Sequence, residues 1–87
     1  EANVRALVVD PVHPATVFAA DLHSGVYRSD DAGATWTAIN NGLRMRAVNA
    51  LALTQDGRHL YAGTEGNGVY RLDLATPRTV RRRLGRR

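Results

Sequence analysis

The four residues Gly25-Val26-Tyr27-Arg28 recur as Gly68-Val69-Tyr70-Arg71, 43 positions later. The match extends on the N-terminal side. Val4-Arg5-Ala6-Leu7-Val8-Val9 aligns with Val48-Asn49-Ala50-Leu51-Ala52-Leu53 at an offset of 44, and Val17-Phe18-Ala19-Ala20 aligns with Leu60-Tyr61-Ala62-Gly63 at 43. The lost residue falls in the first turn, where Gln55-Asp56-Gly57-Arg58 replaces a stretch bounded by Pro11 and Pro14. A repeat constrains the fold strongly, because each copy must form the same small unit and a unit of that size cannot cover both its faces. Stacked neighbours must do so.

Within the first copy, turn chemistry divides the chain into strands. Val4–Asp10 is apolar and β-branched enough for a buried strand, and Asp10-Pro11-Val12-His13-Pro14 ends it. Thr16–Ala20 is a second strand, and Asp21-Leu22-His23-Ser24-Gly25 turns into a third at Val26–Ser29. Thr35–Ile39 is a fourth, closed by the turn signal Asn40-Asn41-Gly42. Four short antiparallel strands in roughly 40 residues describe one blade of a β-propeller. The second copy has three such strands. Where the first has Ser29, Asp31, Gly33 and Trp36, the second has Leu72, Leu74, Thr76 and Thr79, and Pro77 interrupts any fourth strand. The expected organisation is an all-β chain: a blade over 1–45, an incomplete blade over 46–75 and an arginine-rich tail over 76–87.

The turn before the fourth strand, Ser29-Asp30-Asp31-Ala32-Gly33-Ala34-Thr35-Trp36, carries the most specific pattern. Asp31 is a short acceptor for backbone N–H groups a residue or two further on, and Ser29 can help in the same way. Gly33 suits the positive φ that closing a hairpin requires. Trp36 is the first large apolar group of the returning strand, with an indole N–H that needs a partner at the edge of the core. The spacing Ser-x-Asp-x-Gly-x-Thr-Trp resembles the Asp-box of the BNR (bacterial neuraminidase repeat) family, found in the propellers of sialidases, sortilin-like receptors and photosystem II assembly factors. The resemblance implies a folding role for Ser29, Asp31, Gly33, Thr35 and Trp36. It also implies a secreted, periplasmic or membrane-associated setting.

The charge is divided. Residues 77–87 hold six arginines and no acid, whereas residues 1–76 hold six arginines against eight acids, so a body of −2 carries a basic tail. The absence of lysine is more consistent with coding bias than with a nucleic-acid footprint, and nucleic acid is not the expected partner of the body. With no cysteine, no disulfide closes the fold. No apolar run reaches the roughly 20 residues of a transmembrane helix, and Glu1-Ala2-Asn3 does not resemble a signal peptide. Thr76-Pro77 suits a helix start, with Val80 and Leu84 forming one apolar stripe among arginines. The tail reads first as a solvated terminus, then as a helix for an acidic protein surface, ahead of lipid or nucleic acid.

The resemblance to BNR propellers places Asp21, His23, Arg44, Arg46, Glu65 and Asn67 on the rim where such proteins usually bind ligands, opposite the Asp-box turns. In that setting Arg44 and Arg46 suit a carboxylate, and Asp21 with Glu65 suits a carboxylate pair for glycoside chemistry. No complete sialidase set is present, since two arginines from one connection are not a triad, and Tyr27 and Tyr70 follow the strand pattern as packing residues. His13, His23 and His59 fall in turns without metal-ligand spacing. Gly63-Thr64-Glu65-Gly66-Asn67-Gly68 joins strand to strand and lacks the helix of a phosphate-binding loop. The sequence carries no cofactor motif and no Gly-x-Ser-x-Gly nucleophile elbow.

The expectation is a non-catalytic propeller module for binding or assembly, whose partners are further blades in the same polypeptide, copies of itself, a larger complex or a glycan. The alternative is the last blades of a sialidase-like or other glycoside hydrolase.

Overall fold

A computed structural model describes residues 3–40 and 47–74, which form seven β-strands and no helix. The strands are β1 (Val4–Val9), β2 (Val17–Asp21), β3 (Gly25–Ser29), β4 (Thr37–Ala38), β5 (Val48–Leu53), β6 (His59–Thr64) and β7 (Val69–Asp73). They make two antiparallel meanders, ordered β1-β2-β3-β4 and β5-β6-β7. The expected helix in the tail lies outside the described residues.

The repetition extends to register. In the first sheet Val4 pairs with Asp21 and Ala6 with Ala20, so one residue of β1 is skipped. In the second, Val48 pairs with Thr64 and Ala50 with Gly63, which is the same bulge at the equivalent place. A bulge moves the preceding side chain to the other face of its sheet. Both copies also tie their lead-in residue to the next turn: Leu22 N–H donates to Asn3 C=O (3.0 Å) and Glu65 N–H to Ala47 C=O (2.9 Å).

The fourth strand is shorter than the sequence predicts, Thr37–Ala38 in place of Thr35–Ile39. The reason is competition for hydrogen bonds. Thr35 and Trp36 are held by the preceding turn, through Asp31 and the Gly33 carbonyl, and so do not pair with β3. Ile39 N–H still donates to Val26 C=O (2.9 Å), which prolongs the contact with β3 by one bond.

Strand alternation sorts the side chains into faces. Ala6, Val8, Phe18, Ala20 and Val26 of the first sheet meet Val48, Leu51, Leu53, Leu60, Ala62, Tyr70 and Leu72 of the second, and this is the core. β1 and β2 lie against β5. Phe18, Val26, Val48 and Leu60 are fully buried, each contributing roughly 1.5–3 kcal/mol if burial is complete on folding. The Arg28 guanidinium lies over the Phe18 ring, 5.6 Å from its centroid, and closes one margin of the core.

Turns gather at two ends. The β3–β4 turn docks on the β1–β2 turn, with Ala32 N–H donating to Ala15 C=O (2.9 Å) and the Thr16 hydroxyl to Asp30 (3.0 Å). The β5–β6 turn is at this end too, because the Asp10 carboxylate fills the space where Gly57 would carry a side chain. The β2–β3 and β6–β7 turns lie at the opposite end.

Candidate functional site

The turn from Ser29 to Trp36 is closed by its own side chains. The fully buried Ser29 hydroxyl donates to Asp31 Oδ1 (2.8 Å) while accepting the Gly33 N–H (2.8 Å). Asp31 accepts the Thr35 N–H (2.8 Å) on Oδ1 and the Thr35 hydroxyl (2.6 Å) on Oδ2. Its main partner is therefore four residues on, beyond the one or two anticipated. The Thr35 hydroxyl and N–H, with the Ser29 hydroxyl, hold the Asp31 carboxyl down to about 2. Gly33 has the expected positive φ of 97°. Ala32 also lies in the left-handed region, at φ 61°, which composition does not announce.

Trp36 differs from expectation in its surroundings. Its indole N–H donates back to Gly33 C=O (3.0 Å), and the ring is 40% exposed on the face of the first sheet turned away from the core. The turn bends the chain before pairing resumes at Thr37, and this sets the ring beside Leu7 and Tyr27.

At the other end, Asp21 works as a clamp. It is buried, and accepts the N–H groups of Asn3 (2.8 Å) on one oxygen and of His23 (2.8 Å) and Ser24 (3.0 Å) on the other. The Asn3 N–H first, then His23 and Ser24, lower its carboxyl to about 2 against the opposing effect of burial. Asn40 completes this turn: its Oδ1 accepts the Val26 N–H (2.8 Å) and its Nδ2 donates to Ser24 C=O (3.1 Å). Gly25, at φ 99°, is obligatory between them, since a Cβ would overlap the Asn40 amide. Sequence reasoning marks Asn40 as a turn residue and misses this bracing role, because its partners lie 14 and 16 positions away.

Of the six rim candidates, Asp21 ends β2, His23 sits on the β2–β3 turn and Glu65 and Asn67 on the β6–β7 turn, at one end of the sheets. Arg44 and Arg46 lie outside the described residues. His23 and Glu65 are exposed. Asn67 donates from its side chain to the Tyr70 hydroxyl (2.6 Å). Among the described residues, no hydrogen bond or ion pair links Asp21 or His23 to Glu65 or Asn67.

Two of the histidines have acidic neighbours. His13 Nδ1 is 3.6 Å from Asp10. His59 begins strand β6, contrary to its expected place in a turn, and its Nδ1 is 2.8 Å from Asp73, the residue paired with it on β7. Among the described residues, no group of three or more His, Asp or Glu side chains is arranged to hold a metal ion.

The described surface also carries apolar patches. Among the described residues seven large hydrophobic side chains are exposed, and six of them lie on the outward faces of the two sheets. Val4, Leu7, Val9 and Trp36 are on the first, Tyr61 and Val69 on the second, and only Val12 is elsewhere. On the first sheet, Val4, Leu7, Ala19, Tyr27 and Trp36 line an open groove of about 700 Å³. Patches of this kind mark surfaces made to be covered.

No protein-family model, curated protein or solved structure matches this chain.

Proposed function

We propose that these residues are two neighbouring blades of a BNR/Asp-box propeller and serve as a non-catalytic binding and assembly module. The observation that carries this reading is that two like-built sheets stack face to face and leave an apolar outward face at each end of the stack. Repeat units bury their hydrophobic surface only against further units, so both outward faces call for neighbours. The internal bonding of Ser29, Asp31, Thr35 and Trp36 supports a structural role for the Asp-box turn.

The hydrolase alternative is less well supported. A general acid needs a carboxyl whose affinity for protons is raised, whereas three N–H groups lower that of Asp21 to about 2. The test is an assay of the 87-residue chain for cleavage of aryl glycosides, together with light scattering and binding of a hydrophobic dye. The expected result is no cleavage, with either a mass above 9.5 kDa or strong dye binding. Cleavage that Glu65→Gln abolishes without loss of the fold would overturn the proposal, as would a folded monomer that binds no dye.

A further inference from the structure

The two sheets do not meet through equivalent faces. Aligning the repeats makes Phe18 the counterpart of Tyr61, Val26 of Val69, Tyr27 of Tyr70, Leu7 of Leu51 and Val4 of Val48. Phe18 and Val26 of the first sheet are fully buried against the second, yet their counterparts Tyr61 and Val69 are 37% and 70% exposed. Conversely, Val48, Leu51 and Tyr70 pack into the core, while Val4, Leu7 and Tyr27 line the open groove. One sheet thus presents its A side and the other its B side, and the described residues leave the B side of the first and the A side of the second uncovered.

We infer that the groove on the first sheet is the docking site for the outward face of the second sheet of another copy of this chain, joined head to tail. This rests on the assembly reading above and adds the identity and orientation of the partner. The intramolecular interface is the template for it. Tyr61 of the incoming copy takes the place that Phe18 holds, and Val69 that of Val26, while Leu7, Ala19 and Tyr27 receive them as Leu51, Ala62 and Tyr70 do inside the chain. The margins agree as well. Arg28 pairs with Asp30 at 3.0 Å beside the covered face, and its counterpart Arg71 pairs with Asp73 at 3.0 Å beside the free one. A contact between two different faces leaves a further pair open at each step, so it closes into a ring or extends into a fibre.

The test uses the whole 87-residue chain in size-exclusion chromatography with light scattering. Leu7→Arg blocks one face and Val69→Arg the other, at positions 60% and 70% exposed, and circular dichroism checks that both fold. Val4→Arg and Tyr61→Arg replace either variant that does not. The wild type is expected at multiples of 9.5 kDa, each variant alone at 9.5 kDa, and their equimolar mixture at twice that mass. A mixture that stays monomeric, or a Val69→Arg chain that still dimerises, would overturn the head-to-tail contact while leaving the assembly reading in place. A dye-binding wild-type monomer would also overturn it, and would point to a partner other than this chain. A folded monomer that binds no dye would remove both.

Discussion

The first three strands of the first sheet and the three strands of the second align as repeats, with the same meander order and the same bulge, and they use equivalent positions in opposite ways. Val48 is completely buried and Val4 is 53% exposed, whereas Val26 is completely buried and Val69 is 70% exposed. Neither hydropathy nor strand propensity differs between the members of these pairs. What differs is the side on which a neighbour lies. In a stacked repeat, burial belongs to the interface, and a residue's chemistry determines only that it can be buried.

The largest effects are expected where that contrast is sharpest. Phe18→Ala should destabilise the chain by ~3–5 kcal/mol, while Tyr61→Ala at the counterpart position should change the stability of the dilute chain by less than ~0.5 kcal/mol. Chemical denaturation of both variants measures the difference, and equal losses would mean that the two faces are not used differently.

A smaller effect is expected from paired turn glycines. Gly25 and Gly68 both have positive φ, of 99° and 81°, but Gly68 opens to empty space and Gly25 faces the Asn40 amide. Gly68→Ala should therefore cost only the backbone strain of ~1–2 kcal/mol. Gly25→Ala should add to that the two hydrogen bonds of Asn40, each worth about 1 kcal/mol. Thermal unfolding of the two variants side by side would separate strain from lost bracing.

The most gradual effect is that of acid. Asp21 and Asp31 both belong to the first sheet and are held near about 2, while carboxyls in an unfolded chain titrate near about 3.9. Between these values the unfolded state binds more protons, so the stabilisation is full above the higher value and is lost as pH falls through the lower one. In the second sheet the Thr54 hydroxyl and then the Arg58 N–H lower the Asp56 carboxyl. Amide exchange compared at pH 4 and pH 2 should therefore show the larger loss of protection in the turns of the first sheet, where Asp21 and Asp31 both hold backbone N–H groups that protonation releases. Asp31→Asn should flatten that pH dependence.

Much of this architecture is legible from local chemistry. Turn residues place β1 to β3 and β5 to β7 within a residue or two, and the positive φ of Gly33 follows from its position. The misses share a cause. Thr35 and Trp36 read as strand from their β propensity, but Asp31 and the Gly33 carbonyl hold them in the turn. For Asp21 the sequence indicates a rim position, and it does not announce that the carboxylate accepts N–H groups from its own turn and from Asn3, 18 positions earlier. His59 reads as a turn residue and is found pairing across strands with Asp73.

By itself the sequence determined that this chain forms short antiparallel strands, that it forms the same unit twice, and that the Ser29–Trp36 hairpin closes on its own side chains. Those outcomes depend on contacts among near neighbours and on a periodicity of two. Only the tertiary structure decided which side of each sheet is covered, because alternation marks two candidate faces and is silent about which one meets a neighbour. Packing the A side of one sheet on the B side of the next settles that choice, and leaves Leu7 and Val69 exposed at the two ends of the stack.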